Sequence, residues 1–288
     1  MKFNLFDDIE EFYSLVYPFL IDNEAENILL FSILNSLKED FHKYGKEKPL
    51  LGAIIQKNQV IMVSLRTPPY NLVISYSQNL DTIKFLVKQL TKRNIVLPGI
   101  LGFKKGADLF ANLWIEHKNI QSTLVMDERN YKLTSVNEDT LGNNTFMPAK
   151  EIYKDLIIEW AKNFLYEAFQ EEKNQDIINN HINIIRDDIS NSRIYLLFHD
   201  ELPVCMARKA GKTPNGRLIN YVYTPPHLRR NGYATECVAK LSKHLLEEEN
   251  NKFCFLFTDL ANPTSNSIYM KIGYKPIIDF HQYEFYED

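Results

Sequence analysis

Apolar positions change their period along this chain, and each change marks an element. Ile28, Leu29, Phe31, Ile33, Leu34 and Leu37 recur at helical spacing and form a broad apolar face. Residues 7–19 carry a similar pattern, so two helices are expected first. The period then shortens. Residues 50–56, 60–65 and 71–76 are β-prone runs, separated by the turn formers Lys57-Asn58 and by Pro68-Pro69. Residues 81–92 return to helix, with Asp81 placed as a cap. A strand at 95–97, a helix at 105–117 and a strand region at 120–133 complete the first half.

Residues 136–149 lose all periodicity and carry the turn formers Asn137, Asp139, Gly142, Asn143, Asn144 and Pro148. The same order of elements then returns. Helices are expected at 150–170 and 175–189, and strands at 193–199, 203–208 and 217–223. A helix at 232–249, a strand at 253–259, a helix at 264–271 and a strand region at 276–285 follow. Each half also holds a strand leading into Thr-Pro-Pro, at Thr67-Pro68-Pro69 and at Thr224-Pro225-Pro226. A proline pair supplies no N–H donors and cannot continue a ladder. The pattern predicts a duplicated module, with domains at 1–140 and 150–288.

Composition narrows the class. Of 288 residues, 45% are hydrophobic and 24% charged, which excludes a disordered chain. A net charge of -4 argues against a nucleic-acid partner for the chain as a whole. Cys205, Cys237 and Cys254 are too few and too scattered for a disulfide framework, and no C-x-x-C pair exists. The seven histidines include no H-E-x-x-H, so no metal is expected. The N-terminus turns acidic at Asp7-Asp8, and no run of 18 apolar residues occurs. No membrane span and a reducing, cytoplasmic location are the expectation.

One stretch carries chemistry. A strand ends at Val222-Tyr223-Thr224, crosses Pro225 to Arg230, and enters a helix near Gly232. The first amides of a helix have no intrahelical acceptor and carry a partial positive charge. Small residues at Gly232 and Ala234 let an anion approach them, and Arg229 and Arg230 add charge. The junction fits a phosphate or pyrophosphate.

Downstream lies Asn262-x-x-x-Asn266-x-x-Tyr269-x-x-x-Gly273-Tyr274. Together with Arg229-x-x-Gly232-x-Ala234, this resembles the GNAT superfamily of acyl-CoA-dependent N-acetyltransferases, over residues 190–286. The resemblance implies an α+β fold: a mixed, mostly antiparallel central sheet flanked by helices, here as two tandem copies. It implies that two strands splay apart to admit the pantetheine arm of acetyl-CoA, the co-substrate. Val222, Tyr223 and Thr224 then correspond to the strand that pairs with the pantetheine amides. Arg229, Arg230, Asn231, Gly232, Tyr233, Ala234 and Thr235 correspond to the pyrophosphate loop. Asn262 and Asn266 fall where the family has polar groups near the cofactor, although Asn262 before Pro263 also suits a helix cap. Tyr269 corresponds to the general acid that protonates the departing thiolate.

The implied reaction is direct attack by an amine of a small molecule or peptide on the thioester. Many members of the family take the amine proton with a Glu on the splayed strand. Here 217–223 holds no carboxylate. Asn220, through a water, and Asp259 are the substitutes the sequence offers. The missing carboxylate also leaves open a CoA-binding module without turnover, and the half-domain layout is similar to the glycine acyltransferases. Cys237 and Cys254 are expected in the core, Trp114 and Trp160 as packing residues, His227 on a surface turn, and Glu247-Glu248-Glu249 as a solvated helix end. The first half lacks the phosphate signature. It reads as a degenerate copy that walls the acceptor site.

Overall fold

A computed structural model of the chain describes residues 1–169 and 175–287. The expected helix end at Gln170 lies outside the described residues. The elements are β1 (Lys2–Phe6), α1 (Ile9–Ile21), α2 (Ile28–Glu39), β2 (Leu50–Gln56), β3 (Gln59–Arg66), β4 (Leu72–Ile74), α3 (Asp81–Lys92), β5 (Gly99–Phe103), α4 (Lys104–Lys118) and β6 (Gln121–Leu133). Then come β7 (Thr145–Pro148), α5 (Lys154–Phe169), α6 (Gln175–Ser190), β8 (Ile194–His199), β9 (Leu202–Lys212), β10 (Gly216–Tyr223), α7 (Tyr233–Glu247), β11 (Phe253–Asp259), α8 (Pro263–Ile272) and β12 (Lys275–Tyr286). The second ten repeat the order of the first ten element for element, which establishes two copies of one α+β module.

Contacts divide the chain into two compact units, and neither is a continuous half. The first holds residues 1–130, 257–262 and those from Pro276 onward; the second holds 131–256 and 263–275. A single cut near residue 140 does not describe this grouping, because β12 returns to pair with β5. Its register runs from Phe280↔Phe103 to Glu284↔Gly99. Gly99 permits the approach: a Cβ there would lie 2.2 Å from the Tyr283 carbonyl oxygen.

In the first unit, β1 to β4 form antiparallel pairs and β4 runs parallel to β5. Asp8 caps α1 by accepting from the Glu11 amide at 2.8 Å. Phe12, Val16 and Leu20 then sit four apart on α1 and are fully buried. They pack with α2 on one face, while Ile83, Leu86, Phe110 and Trp114 form the core under α3 and α4 on the other. Each such side chain contributes roughly 1.5–3 kcal/mol.

The second unit repeats this plan. β7, β8, β9 and β10 pair antiparallel, and β10 runs parallel to β11. One core lies under α5 and α6, with Ile157, Trp160 and Ile185; the other lies under α7 and α8, with Val238, Leu241 and Ile272.

Four sequence expectations are corrected. β1 and β7, the first strand of each copy, were not expected; each has at most five residues, too few to set a period apart from the elements that follow. The strand expected at 95–97 lies instead at Gly99–Phe103. Asp81 is the first helical residue rather than the cap; its amide bonds Asn79 Oδ1 at 3.0 Å. The Thr-Pro-Pro echo is not a trace of duplication. It follows β3 in one copy and β10, the counterpart of β4, in the other.

Candidate functional site

The second unit contains a place where neighbouring strands part. β10 and β11 pair at Gly216↔Phe253, Arg217↔Cys254 and Leu218↔Phe255. β10 continues to Tyr223 without a further recorded partner on β11. A cause lies in β10 itself. Its register with β9 shifts between Asn220 and Tyr223, and Tyr221 has a φ of +49°. A non-glycine residue rarely adopts that left-handed conformation, which costs about 1–3 kcal/mol. The shift acts as a bulge and turns the following side chains over. Ile219 and Val222 join the core under α7 and α8, whereas Tyr221 and Tyr223 join the one under α5 and α6.

The chain leaves β10 at Thr224. The Thr224 hydroxyl is buried and forms no hydrogen bond within the protein. A short turn at Pro226–Leu228 follows, then Arg229, Arg230 with φ +68°, and Gly232 with φ +82°. Glu236 N donates to Gly232 O at 3.1 Å, and no side chain caps the start of α7. The amides of Tyr233, Ala234 and Thr235 precede the first intrahelical bond and lack an intrahelical acceptor. A Cβ added at Gly232 would meet nothing within 4 Å, so that surface is open. Asn231 Nδ2 fastens the turn through the Leu228 carbonyl at 3.0 Å.

Arg229 does not project freely beside these amides. Its Nε donates to the Thr224 carbonyl at 2.9 Å, and Nη2 bonds both carboxylate oxygens of Glu167 at 2.8 and 2.7 Å. The guanidinium also lies 5.7 Å from the Tyr223 ring centroid. Sequence reasoning missed Glu167, which is 62 residues away and carries no motif. Arg230 and His227 are exposed, and Val222 is half-buried.

Asn262 is exposed before α8, and its amide bonds the Asp259 carbonyl at 3.1 Å. Asn266 is buried and accepts from the Tyr131 hydroxyl at 2.7 Å. Tyr269 is 8% exposed, with its ring 6.3 Å from Tyr131 and 6.1 Å from Tyr274. Burial, with a smaller push from the Cys205 thiol, holds its phenol far above the ordinary tyrosine range. The hydroxyl therefore keeps its proton at any working pH. Tyr131 is a further residue of this cluster that no sequence signal marked.

The two substitute bases are otherwise engaged. Asn220 Oδ1 accepts from Arg208 Nη1 at 3.3 Å. Asp259 belongs to the first unit and bonds the Ala261 amide at 2.7 Å. In that unit Glu128 is raised to about 7, first by burial and then by the Asp259 charge.

Cys205, Cys237 and Cys254 are all fully buried, and Trp114 and Trp160 are packed. Glu249, expected to be solvated, is ion-paired with Lys209. Among the described residues, no group of three His, Cys, Asp or Glu could hold a metal, and no helix is long and apolar enough to cross a membrane.

Comparison with known proteins bears on this geometry. Residues 198–285 match the family described as FR47-like protein. An acetyltransferase of the GNAT family from Colwellia psychrerythraea is 10% identical with a TM-score of 0.59, covering 99% of this chain and 100% of that one. A GCN5-related N-acetyltransferase from Sphaerobacter thermophilus is 11% identical with a TM-score of 0.59, covering 98% and 94%. A tandem GNAT protein from the clavulanic acid biosynthesis pathway is 8% identical with a TM-score of 0.53, covering 98% and 97%. No curated protein matches the chain in sequence.

Proposed function

We propose that this chain, which has the tandem fold of GNAT acetyltransferases, is an acyl-CoA-dependent N-acyltransferase that acetylates an amine of a small molecule or peptide. One observation carries the reading. β10 parts from β11 after Leu218, and the same strand runs on into the uncapped helix start at Gly232. A strand gap and an anion site thus lie on one continuous stretch, 219–235. A CoA thioester needs both, one for its pantetheine arm and one for its pyrophosphate.

The residues present fit that ligand. Val222, Tyr223 and Thr224 offer backbone groups on an open strand edge, and the unpaired Thr224 hydroxyl offers a further polar partner. The amides of Tyr233 to Thr235 have no intrahelical acceptor and suit an anion. Arg229 holds the end of β10 to Glu167 and so fixes the loop rather than serving as a free cation. Acetyl-CoA, when bound, supplies an activated acyl group. A backbone N–H near Val222 or Tyr223 steadies the negative charge on its carbonyl oxygen. Tyr269 donates a proton to the departing thiolate, an effect worth about 10²–10⁴ in rate. The first copy has no such loop and serves as a degenerate domain.

The test is thiol release from acetyl-CoA over a panel of amines. Release that falls strongly in Tyr269→Phe supports the enzyme. Tight CoA binding with no turnover on any amine makes it a binding module instead. Gly232→Trp should weaken CoA binding, because the side chain would fill the open surface at 232. Unchanged affinity refutes the loop assignment.

A further inference from the structure

The acyl-transfer reading leaves one proton without a destination. The attacking amine must lose a proton, and β10 offers no carboxylate. Asn220, the polar side chain nearest to that role on the strand, is already bonded to Arg208.

The residue after it is unusual in two independent ways. Tyr221 holds a left-handed backbone inside a strand, and this directs its ring away from the core under α7 and α8. Its hydroxyl also lies 2.6 Å from Nδ1 of His181 on α6. The ring lies 4.8 Å from that of Phe164 of α5, tilted by 33°. The charged groups about it are Arg208 of β9, 5.7 Å from the ring centroid, and Asp188 of α6. Tyr221 is buried, while His181 is half-buried.

These positions separate two roles across one sheet. Tyr269 lies in the core on the α7 and α8 side, and Tyr221 in the core on the α5 and α6 side. An acyl group held between the parted strands would lie between the core that holds Tyr269 and the core that holds the Tyr221–His181 pair. We propose that Tyr221 and His181 form the relay that takes the amine proton. This rests on the acyl-transfer reading.

The step balances. The amine nitrogen forms a bond to the acyl carbon, and the carbon–sulfur bond breaks. The amine proton passes to Tyr221 Oη as the phenol's own proton passes to His181 Nδ1. The imidazolium releases it to solvent, and the thiolate takes a proton from Tyr269, which regains one from solvent once the thiol departs. Burial pushes the Tyr221 phenol up to about 12, so it transfers a proton only when the imidazole accepts one. Imidazole is the side chain most often used as a general base near neutral pH.

Wild-type protein, His181→Gln, His181→Gly and Tyr221→Phe are compared for thiol release from acetyl-CoA with primary amines between pH 5.5 and 9. CoA binding is measured in parallel by calorimetry. The relay predicts a fall of about 10²-fold or more in kcat for His181→Gln and Tyr221→Phe, with unchanged CoA affinity. It predicts loss of the acidic limb of the kcat/KM profile in His181→Gln. Added imidazole should restore rate to His181→Gly, which a packing role would not allow. Full activity with the wild-type pH profile in His181→Gln, or no rescue of His181→Gly, overturns the relay. If the wild-type protein itself releases no thiol with any amine, the acyl-transfer reading falls and the relay with it.

Discussion

Asp188 is a buried charge of the second unit held by two arginines. Its side chain is 1% exposed and meets two arginines, Arg208 and, at 3.1 Å, Arg193. The partners are unequal: Arg208 is 15% exposed and Arg193 is 45% exposed. Asp188→Asn would strand the Arg208 guanidinium in a poorly solvated place. Breaking a buried pair from one side costs about 3–5 kcal/mol, because the remaining charge is uncompensated. The Arg193 pair is solvated and adds only about 0–1 kcal/mol. A loss near 3 kcal/mol corresponds to a melting point lower by roughly 10 °C for a unit of this size. Calorimetry of Asp188→Asn beside Arg193→Ala tests this, since the second change should move melting little. The apolar pair Asp188→Leu with Arg208→Met should recover part of the loss, because the one charge left behind, Arg193, is half-exposed. Melting of Asp188→Asn within about 2 °C of wild type would refute the reasoning.

Three further outcomes follow from the same geometry. Glu128 ionises near pH 4.3 when unfolded and at about 7 when folded, so stability falls as pH rises between those values, and Glu128→Gln should stabilise at pH 8 but not at pH 4 in urea titrations. Asp279 is held below its ordinary range by hydrogen bonds from Arg129 at 2.6 and 3.0 Å; its contribution is present above about pH 3.9 and lost as pH falls through the lower folded value. Arg129→Ala should therefore flatten acid unfolding below pH 4 as followed by circular dichroism. Gly142 has φ +52°, and a Cβ there would lie 2.3 Å from the carboxyl carbon of Glu236, whose two oxygens accept from Asn144. Gly142→Ala should cost about 1–2 kcal/mol or more, read as a lower urea midpoint.

The order of elements was legible because helices and strands impose different periods on buried positions. Phe31, Leu34 and Leu37 advertise α2 by spacing alone. The start of α7 was legible because Gly232 precedes it with φ +82°, a conformation that glycine adopts at little cost. Other features depend on contacts that no local pattern encodes. Glu167 finds Arg229 across 62 positions, and Asn266 finds Tyr131 across 135. The left-handed Tyr221 contradicts its own residue type, so propensity points away from it. The repeated Thr-Pro-Pro misled because a strand end can stop at prolines for unrelated reasons.

The return of β12 to the first unit has a consequence for synthesis. Residues from Pro276 onward leave the ribosome after the whole second unit, yet Phe280 to Glu284 complete the ladder on β5. At about 5–20 residues per second, the first unit waits roughly 7–30 s beyond residue 130 for its last strand. Until then β5 presents Gly99 to Phe103 as a strand edge without that partner, the kind of edge that recruits other chains. Removing the residues from Pro276 onward would thus take a strand from a unit built mostly from the other end of the chain.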